Sequence, residues 1–123
     1  MTPYVFVGLY SRDRATYCLN RDEREVKLIC SVVSIHFNIS VEMLLGNIRT
    51  RDVSLARCIA IYMMRELLLF KHTKIGRIFN KNHSTIIYSI DTLKDLMFTD
   101  KNIKRTVNQI IFIYEQKSKT HGL

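Results

Sequence analysis

Apolar residues recur along most of this sequence at spacings of three and four, the period of one buried face on an α-helix. The breaks between these stripes divide the chain into about six helices. Val26, Ile29, Cys30, Val33 and Phe37 make the first stripe, and Asn20 with Glu23 stands ahead of it at capping-box spacing. Asn38 and Ser40 interrupt the stripe; Ser40 can cap a short second helix carrying Val41, Leu44 and Leu45, which Gly46 ends. After the loop Asn47-Ile48-Arg49-Thr50-Arg51, Asp52 is placed to cap a long third helix with the core stripe Val53, Ala56, Ile59, Ala60, Met63, Leu67 and Phe70. Arg57 and Arg65 fall off that stripe and are expected to face water or phosphate.

Beyond Lys71-His72-Thr73, the pattern predicts a short helix over 74–79 with Ile75, Ile78 and Phe79 inward. A tight polar turn, Asn80-Lys81-Asn82, follows. Asn82 can cap a longer helix over 83–96, with Ile86, Ile90, Leu93 and Met97 inward. Asp100 can cap a last helix over 101–116, which carries Ile103, Val107, Ile110, Ile111 and Tyr114 on one side. A short helix, a three-residue turn and a longer helix make a helix-turn-helix pattern. The fold class is therefore all-α: one helix-turn-helix domain over 21–117, preceded by a non-helical arm (1–20) and followed by a tail (118–123).

The arm lacks helical periodicity. Its apolar run Tyr4-Val5-Phe6-Val7-Gly8-Leu9-Tyr10 suits a short strand, a strap over the core or a dimer contact, and the last of these would make the protein a homodimer. The run is too short to span a bilayer and has neither the basic start nor the small-residue cleavage site of a signal peptide. No membrane partner is expected, and the location expected is the cytoplasm. The three cysteines, Cys18, Cys30 and Cys58, are widely spaced without a CxxC pair, which argues against a disulfide framework and a zinc site.

One compact domain fits 123 residues, and one proline with four glycines suits long helices better than many strands. The formal charge of +8 points to a polyanionic partner, because lysines and arginines displace the counterions condensed around phosphates. Its distribution sharpens the point. Residues 46–90 hold eight basic residues against two acidic ones and account for +6 of the +8.

Candidate chemistry follows from the helix-turn-helix. The unpaired amides and the dipole at a helix N-terminus favour a phosphate, so Asn82, His83, Ser84 and Thr85 are placed to anchor a recognition helix on a nucleic-acid backbone. Asn82 can pair with adenine N6 and N7, Thr85 can touch a thymine methyl, and His83 can donate to a phosphate or to a base acceptor. Asn82 is also, first of all, a helix cap. Lys74, Arg77 and Lys81 suit phosphates, and an arginine on a loop outside the major-groove helix suits a narrow A·T-rich minor groove. Catalysis is not expected. His36, His72, His83 and His121 have no carboxylate or cysteine partners at ligand or triad spacing, no GxxxxGK[ST] phosphate loop occurs, and no cofactor or ATP site is expected.

Three segments carry a resemblance. Arg49-Thr50-Arg51-Asp52-Val53-Ser54-Leu55-Ala56-Arg57, Ala60-Ile61-Tyr62-Met63-Met64-Arg65-Glu66-Leu67 and Ile75-Gly76-Arg77-Ile78-Phe79-Asn80-Lys81-Asn82-His83-Ser84-Thr85-Ile86 resemble the basic loop, long helix and recognition motif of the C-terminal DNA-binding domain of DnaA, a Trp-repressor-like helix-turn-helix group. The resemblance runs from about Val26 to Leu93. It implies that Arg49 enters the minor groove, that Arg57, with Arg51 in the same basic segment, lies near the DNA backbone, and that Asn82 to Thr85 enter the major groove. Asn82 stands for the family's acid, Ser84 for a threonine and Ala56 for a proline; Ile48 and Leu55 replace basic residues, and Asp52 adds an acid. These departures imply a target site of its own. The expected function is sequence-specific binding of double-stranded DNA in replication or transcription control. The competing reading is a protein-interaction module that keeps the helical fold, using the arm.

Overall fold

The computed structural model of the protein describes residues 21–121. The arm, and Asn20 as a cap, lie outside the described residues. Six helices follow one another: α1 (Arg21–Phe37), α2 (Val41–Leu45), α3 (Arg51–Leu67), α4 (His72–Phe79), α5 (His83–Thr99) and α6 (Lys101–His121). No strand occurs among the described residues, in accord with the all-α expectation.

Helix α3 is the axis of the packing and lies against α1, α2, α4 and α5, while α6 closes the far side against α1 and α5. That central position explains why α3 buries more than one stripe. Besides Val53, Ala56, Ile59, Ala60 and Met63, the side chains of Ile61 and Met64 are fully enclosed, whereas Leu67 is only half-buried. A helix with neighbours on several sides needs apolar residues around most of its girth. Met63 and Met64 fill this core, as flexible side chains do where helices cross irregularly. The predicted stripes of the other helices supply the rest: Ile29, Val33, Leu44, Ile75, Phe79, Ile86, Leu93 and Ile110 are all essentially solvent-free. Enclosing each such side chain contributes about 1.5–3 kcal/mol.

Several helix ends differ from the sequence expectation. Helix α3 starts at Arg51, because the Thr50 hydroxyl, and not Asp52, caps it by accepting from Val53 N–H at 3.4 Å. Helix α4 starts at His72, two residues early, behind Lys71, whose side chain makes no cap bond and so leaves no sequence signal. Helix α5 runs on to Thr99, and α6 to His121 rather than stopping at residue 116. Residues 118–121 are therefore helix and not tail, and Ser118 Oγ donates to Glu25 on α1 at 3.3 Å. The caps at Ser40, Asn82 and Asp100 are where the sequence puts them: Ser40 Oγ accepts from Met43 N–H at 3.0 Å, and Asp100 Oδ1 from Asn102 N–H at 2.9 Å.

Candidate nucleic-acid interface

The turn between α4 and α5 is built by backbone. Asn80 takes the left-handed conformation (φ 57°, ψ 48°), which asparagine tolerates better than most residues. Lys81 N–H then donates to the Gly76 carbonyl at 2.8 Å. Gly76 permits this approach, since a β-carbon there would stand 2.4 Å from the Lys81 carbonyl oxygen. Sequence reasoning did not single out Gly76, although a glycine inside a short apolar helix is the signal of a close backbone neighbour.

Asn82 caps α5 with its side-chain oxygen, which accepts from Thr85 N–H at 2.9 Å. The cap fixes the amide's orientation and leaves the NH2 group as its unspent donor. His83, Ser84 and Thr85 form the exposed first turn of α5, and the amides of His83 and Ser84 are among those that a helix start leaves without an internal partner. Thr73, Arg77, Lys81 and His83 line a shallow groove of about 420 Å³ beside the turn. One helical turn further along, Ile87 and Tyr88 are exposed as well, Tyr88 at 71%. The sequence held the clue to both, since they are what remains of α5 once the stripe Ile86, Ile90, Leu93 is assigned to the core.

The loop between α2 and α3 lies next to this turn. Lys81 Nζ is 3.4 Å from Asn47 Oδ1. Burial, with Arg57 and Arg49 nearby, lowers the Lys81 pKa, so three cations share one neighbourhood. Arg49 and Arg51 are exposed.

Three residues expected to face water or phosphate are engaged within the chain. Arg57 does not face water: it is 8% exposed, and its Nε donates to the Leu44 carbonyl at 2.8 Å and its Nη2 to the Met43 carbonyl at 3.1 Å. A single stripe does not describe α3, which is buried on more than one side. Lys74 is engaged with Asp22 of α1 at 2.8 Å and sits 3.9 Å from the centre of the Phe70 ring, so its ammonium serves the α1–α4 junction. Arg65, also expected to face water, donates to the Phe70 carbonyl at 2.9 Å and is half-buried. Among the described residues no group of three or more His, Cys, Asp or Glu could hold a metal ion, and no helix is long and apolar enough to cross a membrane.

Residues 26–93 match the family described as the bacterial dnaA protein helix-turn-helix. The chain belongs to the bacterial DnaA helix-turn-helix family. It is 36% identical over 93 residues to the chromosomal replication initiator protein DnaA of Gloeothece citriformis, an alignment covering 75% of this chain and 20% of the relative. It is 36% identical over 83 residues to chromosomal replication initiator protein DnaA 2 of Chlamydia pneumoniae, covering 68% and 18%. With the DnaA of Tropheryma whipplei the identity is 38% over 73 residues, covering 59% and 15%. The chain thus spans about a fifth of the length of these curated relatives, or less. The family match begins at Val26 on α1 and ends at Leu93 within α5, so it contains the basic loop, α4, the turn and the greater part of α5.

Proposed function

We propose that this chain binds double-stranded DNA sequence-specifically, with the first turn of α5 in the major groove and the loop carrying Arg49 in the adjoining minor groove. The observation that carries the reading is the 3.4 Å approach of Lys81 to Asn47, which sets a basic loop beside the start of an exposed, polar helix end. His83, Ser84 and Thr85 are the base-reading side chains, together with the Asn82 amide; Arg51, Arg77 and Lys81 hold phosphates. Ile87 and Tyr88 extend the reading face with apolar surface suited to thymine methyl groups. The relatives' names, chromosomal replication initiator protein, support a role in replication initiation.

Competition binding on a panel of single-base duplex variants tests the two-groove reading. His83→Ala or Thr85→Ala relaxes preference at the major-groove positions, costing about 1–3 kcal/mol on the best site and much less on random DNA. Arg49→Ala instead reduces the penalty for G·C pairs at the flanking minor-groove positions, where the guanine amino group obstructs entry. Equal loss of specific and random binding in every variant would make the helix-turn-helix a phosphate clamp.

A protein-interaction module is the second reading, favoured by the exposed Ile35, Phe98 and Phe112, at 68%, 90% and 61%. Binding to DNA falls steeply with salt, whereas an apolar contact does not.

A further inference from the structure

A buried arginine must be paired, or its desolvation is uncompensated. Arg57 solves this within the chain: two of its donors reach the carbonyls of Met43 and Leu44, at the last turn of α2. Those carbonyls lie at the negative end of the helix, where a cation is favoured. The chain leaves this turn at Gly46 and runs through Asn47, Ile48 and Arg49 to the Thr50 cap of α3. The loop is therefore fastened at three places. Arg57 holds its start to α3, the Thr50 cap holds its end, and Lys81 bridges from the α4–α5 turn to Asn47.

We propose that Arg57 is a positioning residue: it fixes the loop that presents Arg49 at a set distance from the first turn of α5, and does not itself contact phosphate. The proposal rests on the two-groove reading above. The planar fork of a guanidinium suits the work, since Nε and Nη2 reach two successive carbonyls from one rigid group, whereas the single ammonium of a lysine cannot hold both at fixed geometry. Burial and the neighbouring Arg49 lower the Arg57 pKa. A buried guanidinium already spent on carbonyls has little reach left for a DNA backbone.

The test compares the full chain with Arg49→Ala, Arg57→Lys, Arg57→Gln and the double variant Arg49→Ala/Arg57→Gln. Each is titrated against a duplex chosen by selection from random sequences, and against the same duplex with G·C pairs at the flanking positions. In the unaltered chain the flank substitution costs about tenfold in affinity. Arg57→Gln removes that discrimination as Arg49→Ala does, Arg57→Lys restores part of it, and the double variant is no worse than Arg49→Ala alone. Hydrogen exchange of the DNA-free protein gives a second readout: Arg57→Gln speeds exchange across residues 44–54 and leaves residues 83–93 unchanged.

A direct phosphate contact predicts the opposite pattern. Affinity for both duplexes would then fall equally, the loss would add to that of Arg49→Ala, and the salt slope would drop by about one; this overturns the proposal. Exchange that quickens in both segments also overturns it, making Arg57 a general support of the core. If Arg49→Ala shows flank discrimination to be unaffected, the minor-groove reading itself fails and the proposal falls with it. Loss of discrimination in Arg49→Ala but not in Arg57→Gln defeats this proposal alone.

Discussion

Gly76 lies directly against the backbone of Lys81: the Lys81 N–H donates to the Gly76 carbonyl at 2.8 Å, and a β-carbon on Gly76 would stand 2.4 Å from the Lys81 carbonyl oxygen. The helix-turn-helix angle depends on this contact, because the neighbour is backbone and cannot rotate away. Alanine is the better helix former by about 1 kcal/mol. Gly76→Ala is nevertheless expected to destabilise the domain by about 1–3 kcal/mol, the range for overpacking a close contact. Denaturant unfolding measures it, and a stabilised variant would show that the turn yields easily.

Asn82 has two roles that substitution separates. Asn82→Ala loses the bond to Thr85 N–H and with it about 1 kcal/mol of stability. Asn82→Asp keeps an oxygen at the cap and adds a favourable charge at the positive end of α5, so stability holds or rises. An aspartate offers acceptors only, and the preferred base at the position it faces should shift toward cytosine, whose N4 amino group donates. Thermal unfolding reads the first effect and a single-base duplex panel the second. Identical base preference in the two proteins would confine Asn82 to capping.

The order and character of the helices were legible because the core stripes are bounded by residues with specific local roles. Ser40, Gly46, Asn82 and Asp100 all act where their chemistry places them. The exposed first turn of α5 was legible for the same reason. What a one-dimensional pattern could not show is which polar residue turns inward. Arg57 lies off the predicted stripe yet is buried, since its partners are carbonyls of α2, 13 and 14 residues away. Lys74 carries a basic charge like its neighbours, but its partner Asp22 is 52 residues distant. The start of α4 at His72 left no mark in the sequence because backbone geometry, without a side-chain cap, begins it.

Leu69 sits between α3 and α4 with φ 59°, in the left-handed region, and is 77% exposed. A leucine there bears a steric cost of about 1–2 kcal/mol and gains little burial in return. Leu69→Gly removes that cost at some expense in unfolded-state entropy, so a net stabilisation of about 0.5–1 kcal/mol is expected. A shift of the denaturant midpoint to lower concentration would mean that the leucine side chain contributes more through contacts than its exposure suggests.

The Tyr114 hydroxyl donates to the Glu25 carboxylate and ties α6 to α1. Burial, and then the hydrogen bond and charge of Glu25, raise the Tyr114 pKa above its ordinary value. A phenol with a raised folded pKa binds its proton more tightly in the folded state. Its contribution is therefore complete below the unfolded value near 10 and is lost as pH rises through the folded value. Over that window each such group lowers stability by about 1.4 kcal/mol per pH unit. Cys30, whose thiol burial pushes up to about 12, acts in the same direction from a lower starting point, so the unaltered domain alone cannot isolate Tyr114. The difference between the domain and Tyr114→Phe can. At neutral pH the variant lacks one hydrogen bond, about 1 kcal/mol, and as pH climbs above about 10 the gap should close and then reverse. Two stability curves that stay parallel from about pH 8 to about pH 11 would show that Tyr114 titrates alike in both states, and that its bond to Glu25 adds no stability that depends on the phenol proton.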